Sequence, residues 1–340
     1  MPYQHLNDQE RYVICHMRMA GFSQSAIARR MGRHRATIGR EIRRNPTPLG
    51  QAYYYDTAAW LARERRDRAS RRYKLDDTPG GTSGGGGTPL GDYVREGLRQ
   101  RWSPQQIAGR LRRDHRNDPT MRITHETIYR FVYRRSASGE PLSEQLRRRR
   151  RKRRKHCARR ENRGQLPGRV GIEQRPDVVD RRSRFGDWEA DTMQGAKGQG
   201  ALATHVERKS RYLLSRKLTD QRADTFSRAA VRVFRTIPSK LRKTMTCDNG
   251  KEFARFKHIE QRLNFNVYFA DPHAPWQRGT NENTNGLLRD FFPKGTDFTR
   301  VSHARVAQVQ RMLNNRPRKC LNYRTPFEVL SALPGVALRN

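Results

Sequence analysis

Acidic side chains are scarce in this chain: 33 Asp and Glu stand against 72 Lys and Arg, a formal net charge of +39 over 340 residues. A folded protein so unbalanced repels itself unless it rests on a polyanion, so nucleic acid is the expected counterion. Long apolar runs are missing as well. No stretch of 18 apolar residues is there to span a bilayer and no charged n-region with an apolar core opens the chain, so a membrane surface is the weaker alternative and the chain reads as soluble and cytoplasmic. Cysteine is sparse too. Cys15, Cys157, Cys247 and Cys320 lie far apart with no C-x-x-C pair, which argues against a disulfide framework and a zinc knuckle and for reduced thiols. With only 34% hydrophobic residues, the length allows two or three domains with small cores and basic linkers between them.

What is present divides the chain into blocks. Residues 5–45 read as three short helices: Asn7 or Asp8 caps the first, Ser23 caps the second with Ile27 and Ala28 inward, and Gly32 stops it. A third helix in HRATIGREIRRN turns Ile38 and Ile42 to the core and leaves Arg35, Thr37, Arg40, Glu41, Arg43 and Arg44 outside. This is a helix-turn-helix pattern, and Arg33, His34, Arg35, Thr37, Arg40, Arg43 and Arg44 are its candidate DNA contacts. The bland reading is a helical bundle with a solvated basic face. We assign residues 1–50 to this module and 51–75 to a helical connector.

A second, helix-turn-helix-like DNA-binding module is expected over 92–136, with His125 its candidate DNA contact. RWSPQQIAGRLRRD opens with Ser103 before Pro104, and ITHETIYRFVYRR has Thr124 as cap, an outward His125 and apolar Ile128, Phe131 and Val132. The signal is weaker than for the first module, and a purely structural helical hairpin competes with it. Residues 76–91 (DDTPGGTSGGGGTPLG) are too Gly-rich to bury anything and read as a flexible linker. The stretch 137–182 is expected as a basic linker; eleven of residues 147–160 are Lys or Arg, among them Arg149, Arg151 and Lys152, a run suited to backbone phosphates and carrying no base-reading geometry.

Residues 183–332 change character, with a tail at 333–340. WEADTMQG, ALATHVER and RYLLSRKLT are β-prone runs set for an antiparallel meander. A helix follows at 222–235, then a strand ending KTMTCDNG, a helix around 251–263, a strand NVYFAD, and helices near 280–292 and 301–315, which together suit a mixed α/β sheet with helices on both faces. Three carboxylates stand in distinct contexts. Asp191 shares a strand face with Asp187 and Glu189, so spacing alone does not choose among them. Asp248 follows a β run and precedes Asn249-Gly250, at the end of a strand where α/β sheets present their sites. Glu282 sits near the start of a helix, where an exposed first-turn glutamate is the ordinary reading. Taken together on a basic chain, they suggest an oxygen-ligand site for Mg²⁺ acting on a phosphodiester. Trp188 is expected in the core, whereas Trp276 and Arg278, in the loop before Glu282, are candidates to touch DNA.

The stretches FGDWEADTMQG, TCDNGKEF, ADPHAPWQRGTNENTNGLLRDFFPKGTDF and LNNRPRKCLNYRTPFEVL resemble the insertion-sequence-30 family of bacterial DDE transposases, and 5–45 resembles that family's N-terminal helix-turn-helix. The resemblance covers most of 185–330, and its motifs are long and ordered. It implies a ribonuclease-H-like core of five strands, the first three antiparallel, with Asp191 mid-sheet on the first and Asp248 just past the fourth. It implies a catalytic and metal-binding triad of Asp191, Asp248 and Glu282, 33 residues separating the last two. It further implies two Mg²⁺ roughly 4 Å apart, replaceable by Mn²⁺. The expected activity is cleavage and strand transfer at terminal inverted repeats, by a homo-oligomer on double-stranded DNA, in a bacterial nucleoid. The Gly-rich spacer departs from the family by its length. A non-enzymatic helix-turn-helix regulator with a silent catalytic fold is the alternative, which three carboxylates in order oppose; a retroviral-like integrase would normally bring a zinc-binding N-terminal module, and no His/Cys cluster of that kind occurs.

Overall fold

The computed structural model describes residues 5–45, 53–71, 75, 88–146, 166–272, 274–336 and 338. The expected contacts Arg149, Arg151 and Lys152, Cys157 and most of the Gly-rich linker lie outside the described residues. The chain forms two compact units, Met1–Gly91 and Asp92–Asn340.

In the first unit the caps fall where the sequence places them. Asn7 opens α1 (Asp8–Met19) with a reciprocal capping box to Glu10, and Ser23 opens α2 (Gln24–Arg30) by accepting from the Ala26 amide. Gly32, at φ +61°, makes the left-handed exit that lets the chain turn into α3 (Arg35–Arg44). Ile14, Cys15, Ile27, Ala28 and Ile38 form the core. Two expectations change here. Glu41 is not outside: its carboxylate takes the Nε of the buried Arg11 at 2.7 Å, because a guanidinium inside so small a core needs a counter-charge. The stretch 51–75 is more than a connector, since α4 (Tyr55–Arg71) packs on α1, with Tyr53 and Ala58 in the same core and the Tyr53 carbonyl accepting from the Cys15 thiol.

The second unit begins within α5 (Pro89–Arg99) and continues with α6 (Pro104–Asp114) and α7 (His125–Ala137), the latter two capped as expected by Ser103 and Thr124, and buries Val94, Leu98, Ile107, Leu111, Ile128, Phe131 and Val132. The described part of the expected linker 137–182 is built into the fold. Residues 166–180 run along the sheet edge through α8 (Asp177–Asp180), with the Phe269 amide bonded to the Val170 carbonyl and Arg175 buried against Thr246 and Asp180.

The sheet then assembles from β1 (Asp187–Gln194), β2 (Ala201–Glu207), β3 (Leu213–Leu218), β4 (Thr244–Cys247) and β5 (Asn266–Phe269) in the order β3-β2-β1-β4-β5. The first three strands are antiparallel, and β4 and β5 run parallel to β1. Period-two alternation sorts β1 into two faces. Trp188 and Ala190 join the core beneath α9 (Ala223–Phe234) and α10 (Phe256–Leu263), where the Trp188 indole donates to the Leu241 carbonyl at 2.8 Å. Met193 joins the opposite core, under α11 (Gly279–Leu288) and α12 (His303–Asn314). The chain ends through α13 (Pro326–Ser331), and Val336 packs into the first of these cores, so the described part of 333–340 is no free tail. The helix expected over 251–263 starts late, since Lys251–Phe253 forms a 3-10 turn, and the one expected over 280–292 ends at Leu288.

One buried group of this sheet carries a measurable consequence. His205, on β2, is fully buried between the rings of Phe226 and Phe234, and neither ring nitrogen has a partner among the described residues. Burial pushes its pKa down from 6.5 to about 3. The unfolded chain therefore takes up this proton first, and the stability that neutral His205 permits is present above pH 6.5 and drains as the pH falls towards 3. Between pH 7 and pH 5 the loss is about 2 kcal/mol. Urea unfolding at the two pH values should show His205→Phe losing less stability than wild type by that amount; an identical pH dependence in both proteins would show that His205 is not the group responsible.

Candidate active site

The face of β1 turned towards α11 carries Asp187, Glu189 and Asp191, the three carboxylates that spacing leaves equivalent. Their surroundings separate them. Asp187 is buried and already held by Arg184, at 3.0 Å, and by the Thr244 hydroxyl at 2.8 Å. Glu189 is fully buried, takes Arg208 Nη1 at 2.8 Å and accepts the Asn281 backbone amide at 2.7 Å. Asp191 is left partly open. It faces Asp248, just past the end of β4, and the two share one guanidinium: Arg278 Nη1 lies 3.6 Å from Asp191 Oδ1 and Nη2 lies 3.1 Å from Asp248 Oδ2. Burial pushes the Asp191 carboxyl above its ordinary range, Arg278 opposes this, and Asp248 adds to it. The same burial works against the Arg278 charge, but the two carboxylates outweigh it and its proton is held more tightly than usual.

Arg278 therefore does not point outward as a DNA contact. It marks a place where two carboxylates need a cation, and that donor set of hard oxygens fits a divalent metal ion. Glu282 is exposed on α11. Among the described residues no three His, Cys, Asp or Glu side chains converge as a ligand set, so the geometry brings Asp191 and Asp248 together and leaves the Glu282 carboxylate apart. On α11 Glu282 lies three residues before Asn285, whose Nδ2 donates to Asp191 Oδ2 at 2.8 Å, so the helix that carries Glu282 is tied to the carboxylate pair by its neighbour one turn on.

Sequence reasoning missed what fastens that helix. The Asn281 amide ends on the Glu189 carboxylate, while its side chain donates to the Glu189 carbonyl at 3.0 Å and the Thr204 carbonyl at 3.3 Å. Arg211 adds a bond to Thr280 at 2.7 Å. The asparagines of TNENTNG were the available signal, since a helix start so rich in amides has backbone to bind elsewhere.

A helix-turn-helix domain model matches residues 2–45 and an integrase core domain model matches residues 181–275. Over 332 residues the chain is 40% identical to the transposase for insertion sequence element IS1086 of Cupriavidus metallidurans, covering 97% of this chain and 95% of that protein. It is 36% identical to the transposase for insertion sequence element IS4351 of Bacteroides fragilis, covering 95% and 94%. It is 37% identical to the transposase InsI for insertion sequence element IS30A of Escherichia coli, covering 98% and 85%. The chain belongs to the insertion-sequence-30 family of transposases.

The transposase is thus a DNA-binding enzyme with an N-terminal helix-turn-helix and an integrase-type, ribonuclease-H-like core that works with a divalent metal. No helix among its described residues is long and apolar enough to cross a membrane. Its expected DNA contacts sort into two groups. Arg35, Arg40, Arg43 and Arg44 are exposed along α3, with Thr37 half-buried, and His125 is exposed at the start of α7. Trp276 keeps 75% of its surface open. Arg33 instead turns back to Glu10, at 2.8 Å, and His34 caps α3 by accepting the Ala36 amide, so both serve the fold of the module.

The Glu189–Arg208 pair generates a prediction. Removing one charge from a buried, hydrogen-bonded pair strands the other and costs about 3 kcal/mol or more, whereas an exposed pair is worth well under 1 kcal/mol. Chemical denaturation should therefore show Glu189→Gln in the first range and Asp177→Asn, which breaks the exposed 3.9 Å pair with Arg181, close to wild type. A Glu189→Gln protein as stable as wild type would refute the role given to this pair.

Proposed function

We propose that the transposase binds the terminal inverted repeats of its own element through α1–α3 and cuts and rejoins DNA strands at a site made by Asp191, Asp248 and Glu282. The observation that carries this reading is the convergence of Asp191 and Asp248, from neighbouring central strands, on the single cation Arg278. In this reading Asp191 and Asp248 hold Mg²⁺, with Mn²⁺ as a substitute, and Glu282 closes the set from α11, one turn before Asn285. Divalent metal held by these carboxylates would supply Lewis acidity to the scissile phosphate and lower the pKa of the attacking hydroxyl.

The remaining work belongs to the chain itself. Glu189, through Asn281, fastens to β1 the helix that carries Glu282. Arg278 balances the two carboxylates until metal takes its place. The net charge of +39 draws the polyanion in from a distance, and α3, with exposed Arg35 and Arg40 and the half-buried Thr37 between them, supplies groups of the kind that read base edges in a major groove. Its exposure supports Trp276 as a stacking surface for a base. We place the enzyme in the bacterial cytoplasm, on the nucleoid, acting as a homo-oligomer because two element ends must be handled together.

Asp191→Ala, Asp248→Ala and Glu282→Ala should each lower Mg²⁺-dependent nicking of a duplex carrying the element's end by about a thousandfold or more, with end binding in a gel shift nearly unchanged. EDTA should reproduce the loss in wild type. A variant that nicks at close to the wild-type rate removes its carboxylate from the ligand set.

A further inference from the structure

The segment RPRKCLNYRTPFEVL (316–330) belongs to a long motif whose chemistry the cleavage site does not use. It has an unusual backbone: Asn322 and Tyr323 both adopt the left-handed region, at φ 52° and 60°, which L residues avoid. Two such residues in succession cost on the order of 1–3 kcal/mol each and persist only where the surroundings hold them. Here the loop closes on itself, Arg318 accepting the Tyr323 amide at 2.9 Å and donating its own amide to Arg324 at 3.0 Å. The turn brings the Tyr323 ring flat against Gly109 of α6, so close that any Cβ at Gly109 would overlap the ring.

Next to that contact is a fork. Arg110 places Nη1 and Nη2 on the two Glu328 oxygens at 2.8 and 2.6 Å, and its Nε on Asp114 at 2.5 Å. Glu328 also accepts the Thr325 amide at 2.9 Å, fixing the start of α13, and Arg113 donates to the Asn322 carbonyl. A second point of attachment lies at the end of the catalytic helix. Arg101, itself left-handed at φ 57°, stacks its guanidinium 5.1 Å over Phe291, three residues beyond α11, and Arg316 from the clamp segment lies over the same ring at 5.9 Å. The helices α5–α7 are thereby fixed both to α13 and to the helix that carries Glu282.

Away from these contacts, α6 and α7 border a cavity lined by Arg112, Arg116, Arg122, Ile123 and Thr124. It lies at the N-terminus of the thirteen-residue α7, and its three arginines are exposed. Three guanidinium groups beside helix amides suit a backbone phosphate. We infer that α5–α7 is a DNA-gripping arm clamped to the catalytic core through Gly109–Tyr323 and Arg110–Glu328, so that the distance between the phosphate it holds and the phosphate that is cut is fixed by the protein. This rests on the reading of α5–α7 as a DNA-binding module. Its consequence is that the clamp positions the cut.

The test uses the full chain and an end-carrying duplex with Mg²⁺, mapping nicks at nucleotide resolution alongside a protection footprint and a melting curve. Arg110→Glu and Glu328→Arg should each lower nicking at the wild-type phosphate by about tenfold and spread nicks to neighbouring phosphates, and the double exchange should restore both rate and position. Should the charge reversals fail to fold, Glu328→Gln, which keeps the volume and one neutral acceptor, carries the same comparison. Folded single variants that cut at the wild-type phosphate with the wild-type distribution overturn the clamp. The underlying reading is judged separately. Arg112→Ala with Arg116→Ala should erase the part of the footprint due to α6 and α7 and leave that of α1–α3; an unchanged footprint refutes the arm and with it the clamp, whereas a lost footprint with unmoved cuts in the fork variants refutes the clamp alone.

Discussion

Two carboxylates brought together at the half-buried end of a sheet repel each other and lose hydration at once, and only a cation between them makes the arrangement tolerable. Most of the catalytic unit follows from that constraint. Asp191 and Asp248 approach because β1 and β4 are neighbouring parallel strands, and Arg278 stands between them because the 3-10 turn Pro275–Arg278 leads directly into α11. The helix in turn is held by Glu189, two residues along β1 from Asp191, so one strand supplies both the carboxylate that needs the cation and the carboxylate that anchors the element bearing Glu282.

The shortage of acidic residues has a structural counterpart. Several of the carboxylates this chain does have are spent inside or at packed joints: Glu41 on Arg11, Asp187 on Arg184, Glu189 on Arg208, Glu328 on Arg110. In each pair at least one charge is largely out of water, Arg11, Arg208 and Arg110 in three of them and Asp187 in the fourth, where an unpaired charge is costly. Glu207 is buried without such a partner among the described residues and instead gathers the Gly186, Lys209 and Ser210 amides and the Ser210 hydroxyl, closing the β2–β3 turn. Carboxylates placed this way leave the surface basic, which suits a protein whose ligand is a polyanion.

Local signals were legible where local physics decides. The caps Asn7, Ser23, Ser103 and Thr124 follow from side chains acting within a few residues of themselves, and the order of strands and helices and the inward face of Trp188 follow from periodicity along the chain. What spacing could not resolve depends on partners distant in sequence. Asp187 and Glu189 are distinguished from Asp191 only by Arg184, Thr244, Arg208 and Asn281, and the inward turns of Glu41 and Arg278 depend on Arg11 and on Asp248. The attachment of α5–α7 to the core rests on a pair 218 residues apart, and no periodicity carries that information. The same holds for residues 166–182, basic enough to pass for a linker and yet tied to the sheet by Phe269 and Thr246.

The most direct test of this account is the position of a bound metal. Crystals grown with Mn²⁺, read by anomalous scattering, should show an ion bonded to oxygens of both Asp191 and Asp248, at about 2.2 Å, with Arg278 displaced from between them. An ion held elsewhere, or Arg278 still bridging the two carboxylates at saturating Mn²⁺, would contradict it.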